Sequence, residues 1–199
     1  MNLGNPSDLA LGDVPARLLA ALSHSRSSVS IRQLARSTGV SVASTQHWIT
    51  HWAHRGLVEQ QVAGRALMCS INRDHLLAPS LIALASTRDL ISQRIVSEIH
   101  SWQLSPLTVT AFGSFARGDG DVMSDIDLLV LRRNGIDRAR WDEQLDDSAH
   151  ELTRAFGNSV QWIDYSEEQW RQMVSNDDPL VSTVVAEGVH IFGEHLSLL

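Results

Sequence analysis

Apolar residues recur along this chain in two rhythms, one helical and one alternating. Val14, Leu18, Leu19 and Leu22 fall on one face at helical spacing and predict a first helix. Ser30, with Gln33 three residues on, has the form of a reciprocal helix cap; a second helix starts there, turns Leu34 and Ala35 inward and stops at Gly39, with Val40 packed beneath the turn. Ser41 caps a third helix to about residue 55, which buries Trp48 or Ile49 together with Trp52. Beyond Gly56 the rhythm shortens, and 57–61 and 66–71, separated by Ala63, Gly64 and Arg65, form a hairpin. Pro79 opens a long helix to about residue 102 that carries Leu81, Ile82, Ala85, Ile91, Ile95, Ile99 and Trp102. That apolar surplus packs on the chain's own cores or, as the alternative, pairs two copies into a homodimer. Strands follow at 107–112, 125–131 and 159–164; a polar helix at 137–155 turns Trp141 and Leu145 inward, and Ser166 with Gln169 caps another short helix.

Composition narrows the class without naming a function. At 199 residues the chain holds one medium or two small domains, and 43% apolar with 20% charged residues is ordinary for a globular protein. No apolar run reaches the length of a membrane span and the start has no signal-peptide form, so a cytoplasmic protein without a membrane partner is expected. One cysteine, Cys69, agrees with a reducing compartment and is expected to pack as a small hydrophobe. The net charge of −7 hides an asymmetry: residues 1–78 hold seven arginines against four acids, residues 79–199 nine against nineteen, and there is no lysine. The two parts therefore suit different partners, and the acidic one is poorly equipped to grip long nucleic acid.

In the front part, residues 1–78, two helices joined at Gly39 and followed by a hairpin resemble the winged helix-turn-helix DNA-binding fold. The resemblance implies double-stranded DNA as partner, with Ser41, Ser44, Thr45, Gln46 and His47 at the start of the third helix entering the major groove and Arg65 at the wing tip. A protein-docking module is the alternative, kept open by the weak positive charge. His47, His51 and His54 recur at metal-ligand spacing, but with no acid or cysteine on that face a polar DNA-facing surface is the better reading.

The most informative stretch lies in residues 105–199, behind a connecting segment at 79–104. Phe112-Gly113-Ser114 ends a buried strand at a glycine, and ten residues later Ser124-Asp125-Ile126-Asp127-Leu128 starts another. Alternation sends Asp125 and Asp127 to one side while Ile126, Leu128 and Val130 face the core. Side-by-side carboxylates are costly unless a cation lies between them, and such hard oxygen ligands suit Mg²⁺ or Mn²⁺ with substrate phosphates. Gly113 lets the backbone approach a ligand, Ser114 begins a short helix facing a phosphate, and Arg117 is a second phosphate contact. Ordinary strand-edge acids are the plainer explanation, but two aspartates among Ile and Leu go against strand propensity twice.

With apolar-Gly-Ser, about a dozen variable residues and then Asp-apolar-Asp-apolar, the chain resembles the DNA polymerase β-like nucleotidyltransferase superfamily, in particular its minimal nucleotidyltransferase branch. Gly113, Ser114, Asp125 and Asp127 carry the likeness, which extends over roughly residues 105–193, and Ser124 beside them is a nucleotide-binding candidate. It implies an α+β fold with a small mixed sheet packed on helices, two Mg²⁺ ions held by catalytic aspartates, a nucleoside triphosphate (NTP) as substrate, and transfer of a nucleoside monophosphate to an acceptor hydroxyl with release of pyrophosphate. The family also has a third carboxylate on a neighbouring strand. Parity along 159–164 puts Gln161 in that place and Asp164 on the opposite face, unless a bulge re-aims it. Gln161 is neutral and cannot serve as a general base.

Two functions from different classes follow. One is a DNA-tethered nucleotidyltransferase whose acceptor is a protein, a small molecule or an RNA end, with a protein partner favoured because so small a domain has little room for an acceptor site, as in toxin–antitoxin pairs. The other is a transcriptional regulator or antitoxin-like protein that binds nucleotide or partner without turnover.

Overall fold

The computed structural model describes residues 1–196, and by packing the chain divides into two units, Asn5–Arg88 in front and Met1–Gly4 with everything from Asp89 on behind. The front unit contains α1 (Asp8–Leu11), α2 (Asp13–His24), β1 (Val29–Ser30), α3 (Ile31–Thr38), α4 (Val42–Ala53), β2 (Val58–Ala63), β3 (Ala66–Ile71) and α5 (Ala78–Ala85). Its core joins Leu18, Leu19 and Leu22 of α2 to Leu34, Ile49, Trp52, Val58 and Ile71, so the helical stripes converge as their spacing predicts. The Ser30 and Ser41 hydroxyls accept the backbone N–H of Gln33 and Ser44 and cap α3 and α4. β2 and β3 form the hairpin, and β1 adds a third antiparallel strand against β3, two residues too short to show in the pattern. Cys69 is buried, its thiol donating to the Val29 carbonyl at 3.3 Å, and burial pushes it up to about 11, so it stays protonated and inert.

The long helix expected from Pro79 to Trp102 is broken. α5 ends at Ser86, whose N–H bonds back to Ile82 and Ala83, and α6 (Thr87–His100) begins anew. The reason lies in what each half covers. Ala78, Leu81, Ile82 and Ala85 belong to the front core, whereas Ile91, Ile95 and Ile99 belong to the back one, and two cores absorb the surplus that a dimer seam would otherwise explain.

Behind α6 follow β4 (Thr108–Phe112), α7 (Gly113–Arg117), β5 (Ile126–Arg132), α8 (Arg138–Phe156), β6 (Val160–Ser166), α9 (Glu167–Ser175), α10 (Pro179–Glu187) and β7 (Val189–Gly193). The sheet order is β6-β5-β4-β7, with β5 and β6 parallel and the other pairs antiparallel, a mixed sheet as the resemblance implies. α8 supplies the crossover that a parallel pair requires. Both faces are covered: Ile126, Leu128 and Val130 pack with Ile95, Trp141 and Leu152, while Leu129 and Leu131 pack with Trp170 and Val184 of α9 and α10. Among the described residues no helix is long and apolar enough to cross a membrane.

Candidate functional site

β4 is buried throughout and stops at Gly113, where the backbone takes φ +68°. A Cβ at this position would stand 2.7 Å from Asp127 Oδ2, so only a residue without one lets that carboxylate lie against the turn. Register puts it there, since Phe112 faces Asp127 across the β4–β5 ladder. Asp125 and Asp127 share the parity of Leu129 and Leu131, and so lie on the sheet face that α9 and α10 cover further along.

Gln161 sits opposite Asp127 in the parallel ladder, and its Nε2 donates to Asp125 Oδ2 at 2.8 Å. Asp164 faces the other way. Its carboxylate, whose side chain is 9% exposed, accepts from Trp141 Nε1 at 2.9 Å, from Arg132 at 2.8 Å and from Arg138, which ties β6 to β5 and α8. The site face therefore carries two carboxylates and an amide. Burial, and after it the negative charge of Asp125, push the Asp127 carboxyl above the usual carboxylate range. A cation between the two acids would relieve that cost. The two hard carboxylates fit one Mg²⁺ or Mn²⁺, with Gln161 turned to Asp125 through its amide nitrogen. Among the described residues no cluster of three or more His, Cys, Asp or Glu side chains that could hold a metal ion forms.

The other residues singled out by sequence are placed less simply. The Ser114 carbonyl accepts the N–H groups of Gly118, Asp119 and Gly120 at 3.0, 3.2 and 3.2 Å, closing a tight turn after α7. Arg117 pairs with Glu187 at 2.7 Å and with Asp119 at 3.2 Å, so its guanidinium is engaged by acids. The Ser124 hydroxyl donates to Asp121 Oδ1 at 3.0 Å and accepts the Asp121 N–H at 2.9 Å, which orders the loop ahead of Asp125. Asn158, buried in the turn between α8 and β6, was not foreseen. It donates to the Ser124 carbonyl at 2.9 Å, and nothing local in the sequence signals so distant a contact.

In the front unit Ser41, Gln46, His47 and Arg65 are exposed and Ser44 is half-buried. Thr45 must be corrected: it is 0% exposed and its hydroxyl bonds the Ser41 carbonyl at 2.9 Å, because Thr45, Ile49 and Trp52 share the inward stripe of α4. Arg32, missed in the sequence, joins Gln46 and Arg65 along a groove of about 660 Å³.

The family model described as Nucleotidyltransferase domain matches residues 93–170, and the one described as IclR helix-turn-helix domain matches residues 15–62. No curated protein matches. Among solved structures, a toxin-antitoxin with AMP-PNP is similar at 22% identity over 53% of this chain and 76% of that one, with a TM-score of 0.39. A mutant form of the toxin-antitoxin MntA-HpeT is similar at 20% identity over the same shares, with a TM-score of 0.40. A MarR family transcriptional regulator from Silicibacter pomeroyi DSS-3 is similar at 25% identity over 48% of this chain and 69% of that one, with a TM-score of 0.35.

Proposed function

We propose, starting from a chain that joins an IclR-type helix-turn-helix domain to a nucleotidyltransferase domain, that it transfers a nucleoside monophosphate from an NTP to a hydroxyl on a partner protein while its front unit binds double-stranded DNA. One observation carries the enzymatic part: Asp125 and Asp127 share a face, and Asp127 lies against a glycine whose missing Cβ leaves the room.

In this reading Asp125 and Asp127 hold the divalent ion, and Gly113 and Ser114 line the triphosphate. When bound, the ion supplies positive charge to offset the phosphate oxygens. The acceptor oxygen forms a bond to the α-phosphorus as the bond to pyrophosphate breaks. Gln161 takes no proton, so the hydroxyl proton leaves to solvent. Arg117, paired with Glu187 and Asp119, is the second phosphate contact in this reading. A protein acceptor is favoured because Leu129, Leu131, Trp170 and Val184 fill the sheet face beyond the aspartates, and because Val122 and Met123 offer an exposed apolar margin on the loop before Asp125. A cytoplasmic location accords with this reading.

A second reading rests on the bond from Gln161 to Asp125: a regulator or antitoxin-like protein that binds nucleotide and does not turn it over. One experiment separates the two. Full-length protein with Mg²⁺, cell lysate and each of the four α-³²P NTPs should label a protein band, and Asp127→Ala should abolish the label. Calorimetric NTP binding without any label would establish the second reading, and a labelled RNA would replace the protein acceptor.

A further inference from the structure

The first four residues of the chain belong to the back unit, although the whole front unit separates them from it in sequence. Leu3 is 0% exposed and packs in the same core as Phe115, Ile126 and Leu128, directly beneath α7 and the start of β5. The Gly4 N–H donates to the Gly120 carbonyl at 2.6 Å. The approach is close enough to exclude side chains on both strands of the contact. A Cβ on Gly4 would stand 2.8 Å from the Gly118 carbonyl oxygen and 3.2 Å from that of Gly120. A Cβ on Gly120 would stand 3.0 Å from Leu3 Cβ and 3.2 Å from Ser114 Oγ.

We propose that Leu3 and Gly4 are positioning residues for the nucleotide loop, holding the Gly118–Gly120 turn against Ser114 so that the stretch from Gly113 to Asp125 keeps one shape. The proposal rests on the reading that Gly113, Ser114 and the two aspartates bind an NTP. The Gly118, Asp119 and Gly120 amides all close on the Ser114 carbonyl, so a displaced turn moves the residue that lines the triphosphate. From the other side Asn158 holds the Ser124 carbonyl at 2.9 Å, so the loop is pinned at both ends and Leu3 fills the space beneath. Neither clamp is a local motif: one comes from residues 3 and 4, outside residues 93–170, and the other from a turn 34 residues past Ser124. On this proposal the back unit needs residues 3 and 4 to hold its loop.

The test uses the full chain with Gly4→Ala and Leu3→Ala. Gly4 is exposed, so its variant disturbs the contact without emptying the core. Two quantities are measured: hydrogen exchange at the amides of Gly118, Asp119 and Gly120 against those of β5, and calorimetric binding of the four Mg-NTPs. Gly4→Ala should speed exchange at the three loop amides by about fivefold or more, the weight of one hydrogen bond, while β5 and DNA binding stay unchanged. It should weaken binding of the preferred NTP by at least about fivefold on the same ground. Unchanged exchange in both variants would overturn the proposal, as would faster loop exchange with NTP affinity intact. If the unaltered protein binds none of the four NTPs, the functional reading fails, and exchange alone then decides whether Leu3 and Gly4 hold the loop.

Discussion

Gly113 and Asp127 form the smallest unit on which the site depends. The glycine has a left-handed backbone and no room for a Cβ beside Asp127 Oδ2. Gly113→Ala should therefore destabilise the fold by about 1–2 kcal/mol from backbone strain alone. It should also push the carboxylate away and reduce Mn²⁺ binding, read by electron paramagnetic resonance of the free ion, more than tenfold as an order of magnitude. Unaltered Mn²⁺ binding would mean that Asp127 and the turn are neighbours without being a site. The shared face of Asp125, Asp127 and Gln161 was legible because strand alternation has a period of two and leaves no freedom once the apolar partners are known. Thr45 was misread because a short polar residue on a helix shows its direction only through the stripe it joins, and Ile49 and Trp52 decide that stripe.

Elements are tied together by a residue that chemistry alone would have drawn into the site. Asp164 anchors β5, β6 and α8 through Arg132, Arg138 and Trp141. Its role as scaffold predicts that Asp164→Asn lowers unfolding stability by about 2–3 kcal/mol, since it leaves the little-exposed Arg132 without its countercharge. Metal and NTP affinity should persist in the folded protein; their loss at full stability would return Asp164 to the site. Parity along β6 predicted this side, and the arginine partners came only with the crossover of α8. The break at Ser86 was not visible, since helical spacing continues through it and only the separate allegiance of Ile82 and Ile91 shows that two cores are being served. β1 escaped for a related reason: two residues are too few for periodicity.

Across the whole chain, charge is divided unevenly. The front unit carries Arg32 and Arg65 beside the exposed start of α4, and all of the arginine excess lies in residues 1–78. DNA binding through this surface should weaken steeply with salt, and Arg65→Ala should lower the slope of log K against log salt by about 0.9, one phosphate contact, without altering NTP binding. An unchanged slope would remove the wing tip from the interface. The two-part organisation and the paired aspartates follow from local rhythm, turn residues and charge, all of which act over a few neighbours and so are written in order along the chain, whereas the mixed sheet was expected only from the family resemblance. Folding in three dimensions was needed to bring Leu3, Gly4 and Asn158 to the loop between Gly118 and Ser124, to bury Thr45, and to pair Arg117 with Glu187. Those contacts join residues far apart in sequence, where burial and register, which no local pattern records, determine which groups meet.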